Sequence, residues 1–213
     1  MCDSAEKVEK VENNENKQNE NVNVAAPAPV PTPVIEVIGN IDINNVAGII
    51  NAIDQTIKNT PNISKIQINY SSPGGDIMSG LALYNYLRSQ TVTVRMVNTG
   101  MIASMGVIVY LAADERYAVK NSSFMIHQIK TNYPNNNNID CFQSSEVAEV
   151  LETYTNAYIN IFNERINGAV KKIDISNNLK GFPAMITPES AVEYGIAHKV
   201  IAPEDIRKLD GKI

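Results

Sequence analysis

The chain has 213 residues, 44% of them apolar and 19% charged, and carries a formal net charge of −5. At about 100–200 residues per domain this length suggests one domain, or one domain and a tail. The acidic balance and the lack of an aromatic-rich basic stretch argue against nucleic-acid binding. Two cysteines, Cys2 and Cys141, and two histidines, His127 and His198, make neither a disulfide framework nor a histidine metal centre. No metal and no cofactor is expected. The longest mostly apolar run, 101–113, is shorter than the roughly 20 residues of a bilayer span, so the chain reads as cytoplasmic, with no membrane partner.

Composition changes near residue 34. Residues 1–24 are rich in Glu, Lys and Asn, and beyond Met1 and Cys2 their apolar content is four valines and one alanine. Such a segment buries too little surface to offset its backbone entropy, which predicts disorder. AAPAPVPTP (25–33) reads as a stiff proline-rich spacer. The expected division is therefore a tail over 1–33 and a folded domain over 34–213. Cys2 ahead of a polar tether has the look of a lipoprotein start, but no secretory signal precedes it.

From Val34 the pattern alternates. VIEVIGNI (34–41) and ISKIQINY (63–70) are rich in β-branched residues and predict strands. Between them Val46, Ile49, Ile50, Ile53 and Ile57 recur at helical spacing, with Asn44 or Asn45 as the expected cap. A second helix is expected from about Asp76, with Leu81, Tyr84 and Leu87 on one face. TVRMVNTG (93–100) predicts a strand, after which MIASMG (101–106) turns into an apolar helix ending near Ala113. RYAVK and SSFMIHQ predict two short strands. Beyond the breaker TNYPNNNN, the longest helical pattern covers about Phe142 to Asn167. Its stripe of Val147, Val150, Leu151, Tyr154, Tyr158, Ile161 and Phe162 needs cover from the domain or from a neighbouring subunit. Strands alternating with helices favour an α/β architecture.

Three pieces carry chemistry: SSPGG (71–75), ASMG (103–106) and MIHQ (125–128). Alone, each is more often a turn, a helix cap or a packed histidine. Together they describe a site. Ser104 precedes an apolar helix whose first N–H groups lack intrahelical partners and, with the helix dipole, can stabilise an oxyanion. Gly74 and Gly75 follow a strand, where a missing side chain lets another N–H approach the same point. His127, ending a strand in the same unit, can take the Ser104 proton and return it to a leaving amine.

These segments, with SPGGDIMSGLALYNYL (72–87), NSSFMIHQ (121–128) and ESAVEYG (189–195), resemble the caseinolytic Clp protease proteolytic subunit, within the wider crotonase-like superfamily. The resemblance covers about residues 34–201, with a slight shortening near Ala113–Glu115. It implies a spiral of strand-strand-helix units with a long protruding handle helix over 142–167. It also implies Ser104 as nucleophile, His127 as base, and Gly75 and Met105 as the oxyanion N–H donors. The implied function is a serine endopeptidase acting on unfolded or short polypeptides inside a homo-oligomeric ring or double ring. Two departures stand out. The family's triad acid falls at or beside Pro183, and no carboxylate lies between Ile175 and Pro188; Asp174 and Glu189 are the nearest. At the N-terminus, the tail does not resemble the family's axial loops, which puts docking to a Clp-type ATPase in doubt. The alternative is a weak or inactive ring subunit with a structural or regulatory role. A crotonase-type acyl-CoA enzyme shares the oxyanion logic but has no use for a paired Ser and His. His198 is expected at a solvent-facing, structural position.

Overall fold

The structure is a computed structural model and describes residues 30–130, 140–166 and 169–209. The segment 1–24 expected to be disordered, most of the spacer expected over 25–33, and the breaker loop at 131–138 therefore lie outside the described residues. Element order is β1 (Val34–Ile38), α1 (Ile43–Asn59), β2 (Lys65–Ser72), α2 (Ile77–Arg88), β3 (Thr93–Ala103), α3 (Met105–Leu111), β4 (Glu115–Val119), β5 (Ser123–Ile126), α4 (Cys141–Arg165), α5 (Ile175–Asn178), β6 (Ala184–Ile186), α6 (Pro188–Glu193) and β7 (Lys199–Ile201), followed by a 3-10 turn over Pro203–Lys208.

The sheet runs β1-β2-β3-β4-β7, all parallel, as crossover helices require. β3 is its pivot. Residues 95–98 pair with β4, and Met101–Ala103 then leave β4 and pair with β5. This change of partner carries the strand three residues past the expected end at Gly100. Met101 to Ala103 are therefore extended, and the helix waits until Met105. The first helix also differs from expectation in its cap. Asp42, not Asn44 or Asn45, is the N-cap, its Oδ1 accepting from the N–H of Asn44 (3.0 Å) and of Asn45 (2.9 Å). The two asparagines are the N–H donors that such a cap satisfies.

One face of β2 and β3 presents Ile66, Ile68, Val94 and Met96 to α1, α2 and α3, and all four are buried. Every residue of α3 is buried, as a helix apolar all round must be. The opposite face carries a polar ladder. Asn69 donates to Glu36 and accepts from Gln67, and Arg95 bridges Gln67 to Glu115, which also meets Lys65.

α4 opens with a capping box between Asp140 and Gln143. Only its C-terminal part seats on the domain, through Tyr158 and Phe162, whose rings stack at 6.3 Å. Further out, Phe142 is 82% and Val150 45% exposed. The domain thus covers one end of the stripe and leaves the other open.

Candidate active site

The parallel register builds the site. Ala103 pairs with Met125, and the N–H of Ser104 donates to the Met125 carbonyl at 2.8 Å. The end of β3 therefore meets the end of β5, and His127 follows two residues on. Ser104 occupies the single residue between β3 and α3, with φ 55° and ψ −129°. This is a left-handed backbone that a residue with a Cβ adopts at a cost of about 1–3 kcal/mol. A serine capping a helix would be extended and would bond its hydroxyl to the helix N–H groups. Ser104 does neither, so its hydroxyl is not consumed by the helix start.

Gly74 is what makes room for that turn. A Cβ there would stand 2.7 Å from Ser104 Cβ and 2.8 Å from the Ala103 carbonyl oxygen. Gly75 is pinned from the other side. Ile41 N–H donates to Gly74 O (2.9 Å), and Asp76 N–H donates to Ile41 O (2.8 Å). Because successive N–H groups of an extended chain alternate, this bridge turns the Gly75 N–H away from Ile41. Asp76 then caps α2, accepting from the N–H of Ser79 at 2.7 Å, and the Ser79 bonds hold its carboxyl below the ordinary range.

A cavity of about 220 Å³ opens over this junction, and Gly75, Ser104, Met105 and His127 all line it. Pro73, Ile77, Ile129, Lys130 and Tyr158 complete its wall. The four residues singled out in the sequence are thus brought to one place. Ser104 and His127 are both half-buried. Among the described residues no hydrogen bond joins the Ser104 hydroxyl to the His127 ring. Instead His127 Nδ1 lies 2.7 Å from the carbonyl oxygen of Gln128. A carbonyl only accepts, so Nδ1 carries a proton, and in the neutral ring this leaves Nε2 with the lone pair.

β6 runs antiparallel to β5, pairing Phe124 with Ile186, Met125 with Met185 and Ile126 with Ala184. The ladder stops there, and continuing its register by one step would set His127 against Pro183. Asp174, the upstream carboxylate, is occupied elsewhere: it caps α5, accepting from the N–H of Asn177 at 3.0 Å. Glu189 sits in the first turn of α6, behind the cap Thr187. Neither lines the cavity. His198 is exposed, as expected, and its Nδ1 accepts from the N–H of Arg116 at 3.2 Å.

Sequence reasoning missed one residue of this neighbourhood. Tyr158, read only as part of an apolar stripe, lines the cavity and donates its hydroxyl to the carbonyl of Ser104 at 3.3 Å. Two tyrosines, Tyr154 and Tyr158, in an otherwise apolar stripe were the available signal, since a buried phenol usually has a polar partner.

Comparison with known proteins decides the family. The family model described as Clp protease matches residues 32–204. The chain belongs to the Clp protease family. Among the curated members, the ATP-dependent Clp protease proteolytic subunit of Deinococcus radiodurans is 29% identical over 141 residues, which are 64% of this chain and 65% of that protein. The ATP-dependent Clp protease proteolytic subunit 2 of Pseudomonas aeruginosa is 30% identical over 145 residues, or 67% and 68% of the two chains. The chain therefore spans about two thirds of the length of these curated relatives. Among solved structures, a ClpP1 mutant from Listeria monocytogenes superposes with a TM-score of 0.65 at 20% identity, covering 81% of this chain and 92% of that one. That likeness establishes the shared Clp protease fold, a parallel α/β sheet with helical crossovers. No described helix is long and apolar enough to cross a membrane, and no described cluster of His, Cys, Asp and Glu has the grouping of a metal site.

Proposed function

We propose that this Clp protease family member is a serine endopeptidase in which Ser104 and His127 act without a carboxylate. The observation that carries the reading is the strained, uncapped Ser104 in a cavity shared with a histidine whose Nδ1 is engaged by a main-chain carbonyl. Ser104 Oγ attacks the carbonyl carbon of a peptide bond while its proton passes to His127 Nε2. The negative charge that develops on the substrate oxygen is met by the N–H groups of Gly75 and Met105. As the C–N bond breaks, the Nε2 proton goes to the departing amine. Water, deprotonated by the same nitrogen, then releases the acyl group from Ser104.

In a complete triad a carboxylate fixes the imidazole tautomer, and its loss costs on the order of 10⁴ in turnover. Here the Gln128 carbonyl fixes the same tautomer but carries no full charge to stabilise the imidazolium. The expected enzyme is slow. Its substrate is an unfolded or short polypeptide laid as an added strand beside the cavity. A homo-oligomeric ring or double ring would cover the open stretch of α4 around Phe142 and Val150. A Clp-type ATPase partner remains the less favoured part of this reading, since the tail departs from the family's axial loops.

A second reading, a ring subunit with a structural or regulatory role, is favoured by the register that sets Pro183 against the histidine. A fluorophosphonate probe separates the two. Labelling of the wild type that disappears in Ser104→Ala and falls sharply in His127→Ala supports the peptidase. A wild type that takes no label, or a Ser104→Ala variant that still does, removes it. Light scattering on the same sample should give a mass of several protomers.

A further inference from the structure

The hydrogen bond from Tyr158 to Ser104 falls on an informative peptide group. The carbonyl of Ser104 and the N–H of Met105 belong to one planar unit, so whatever fixes the oxygen also fixes the direction of the N–H. That oxygen accepts twice: from the N–H of Val107 at 3.0 Å, within the first turn of α3, and from the Tyr158 hydroxyl at 3.3 Å, from α4. The first bond belongs to any helix start. The second reaches across 54 positions of sequence and is the polar tie between α4 and this turn.

Tyr158 is well placed to hold it. Its ring is 5% exposed and stacks on Phe162, which is wholly buried. Burial holds its phenol far above the ordinary range, so it remains a donor throughout the neutral pH region. Met105 is constrained from the opposite side, because a Cβ at Gly80 would stand 2.4 Å from its Cγ. The peptide thus lies between α2 and α4, at a residue whose backbone is already strained.

We propose that Tyr158 is a positioning residue whose hydroxyl holds the Ser104–Met105 peptide plane and thereby aims the Met105 N–H into the cavity. A bond to the carbonyl also polarises the amide and makes its N–H a better donor. This inference deepens the peptidase reading and rests on it for its catalytic consequence, but not for its structural one.

The test is Tyr158→Phe, which keeps the ring that lines the cavity and removes only the hydroxyl. With a short fluorogenic peptide, kcat should fall roughly three- to tenfold, the worth of one net hydrogen bond, with KM within twofold of wild type. The fluorophosphonate labelling rate should fall by the same factor. Amide hydrogen exchange, which needs no activity, should quicken at Val107, whose N–H donates to the same Ser104 carbonyl, while α1 and α2 keep wild-type protection. Wild-type labelling and turnover in Tyr158→Phe would overturn the positioning role. If the wild type takes no label, the peptidase reading fails, and the exchange result alone judges the tie: unchanged protection at Val107 overturns it.

Discussion

Ile126 pairs with Ala184 at the end of the β5–β6 ladder, and the same register continued by one step sets His127 against Pro183. A proline side chain at that step offers the imidazole neither charge nor hydrogen bond. Pro183→Asp is therefore the direct test of what the missing acid costs. The variant should label with fluorophosphonate at least tenfold faster than wild type, part of the roughly 10⁴ that a triad carboxylate contributes. An unchanged rate would mean that the Gln128 carbonyl already supplies all the orientation the ring can use.

The turn at Ser104 depends on an absent side chain. Gly74→Ala would push a methyl to 2.7 Å from Ser104 Cβ at a backbone φ of +93°. The expected outcome is a loss of about 1–3 kcal/mol of stability in urea unfolding, together with loss of labelling. Gly48→Ala provides the contrast. It lies in α1 with nothing within 4 Å of the new methyl, and should gain about 0.5–1 kcal/mol. Equal effects at the two glycines would contradict the close approach at Gly74.

The alternating patterns of the sequence carried the α/β order and the positions of β1, β2, α2 and α4, because each buries a face with its own period. Ser104 and His127 stood out in short motifs, and the family resemblance added Gly75 and Met105; all four line one cavity. What was not legible depends on pairing between distant segments. Met101 to Ala103 look like a helix start, and only their pairing with β5 keeps them extended. In DINN any of three side chains can cap a helix; Asp42 is selected because the first helical residue is Ile43. Neither the register that sets Pro183 against His127 nor Tyr158 reaching Ser104 leaves a local trace, since each joins segments more than 50 residues apart.

Arg116 is a buried cation whose guanidinium donates to main-chain carbonyls. It is 4% exposed and donates to the main-chain oxygens of Ala113, Arg165, Gly195 and Ile196. These lie just beyond α3, at the last residue of α4 and in the turn before β7, where helix ends present unpaired carbonyls and negative dipole. Burial lowers its guanidinium to about 10, so it stays charged near neutrality. Arg116→Met leaves those oxygens buried without donors. At about 1–3 kcal/mol for each unsatisfied group, the loss in urea unfolding should reach about 3 kcal/mol. Arg116→Lys, with three donors in place of the planar fork, should fall between. A near-neutral Arg116→Met would show that these carbonyls find other partners.

The contact between His198 and Arg116 makes stability depend on pH. His198 Nδ1 accepts from the Arg116 N–H, which requires a ring nitrogen without a proton. Desolvation, followed by the Arg116 and Arg165 charges, lowers the pKa of His198 below that of an ordinary histidine. The folded protein therefore binds this proton less readily than the unfolded chain does. The contribution is present above the unfolded value and is lost as pH falls through the folded one. Urea midpoints should decline as pH drops below about 6.5, and His198→Asn should remove part of that decline. The ring is exposed, so solvent screening keeps the effect small. A wild type and a His198→Asn variant with parallel pH profiles would show that the imidazole titrates alike in the two states.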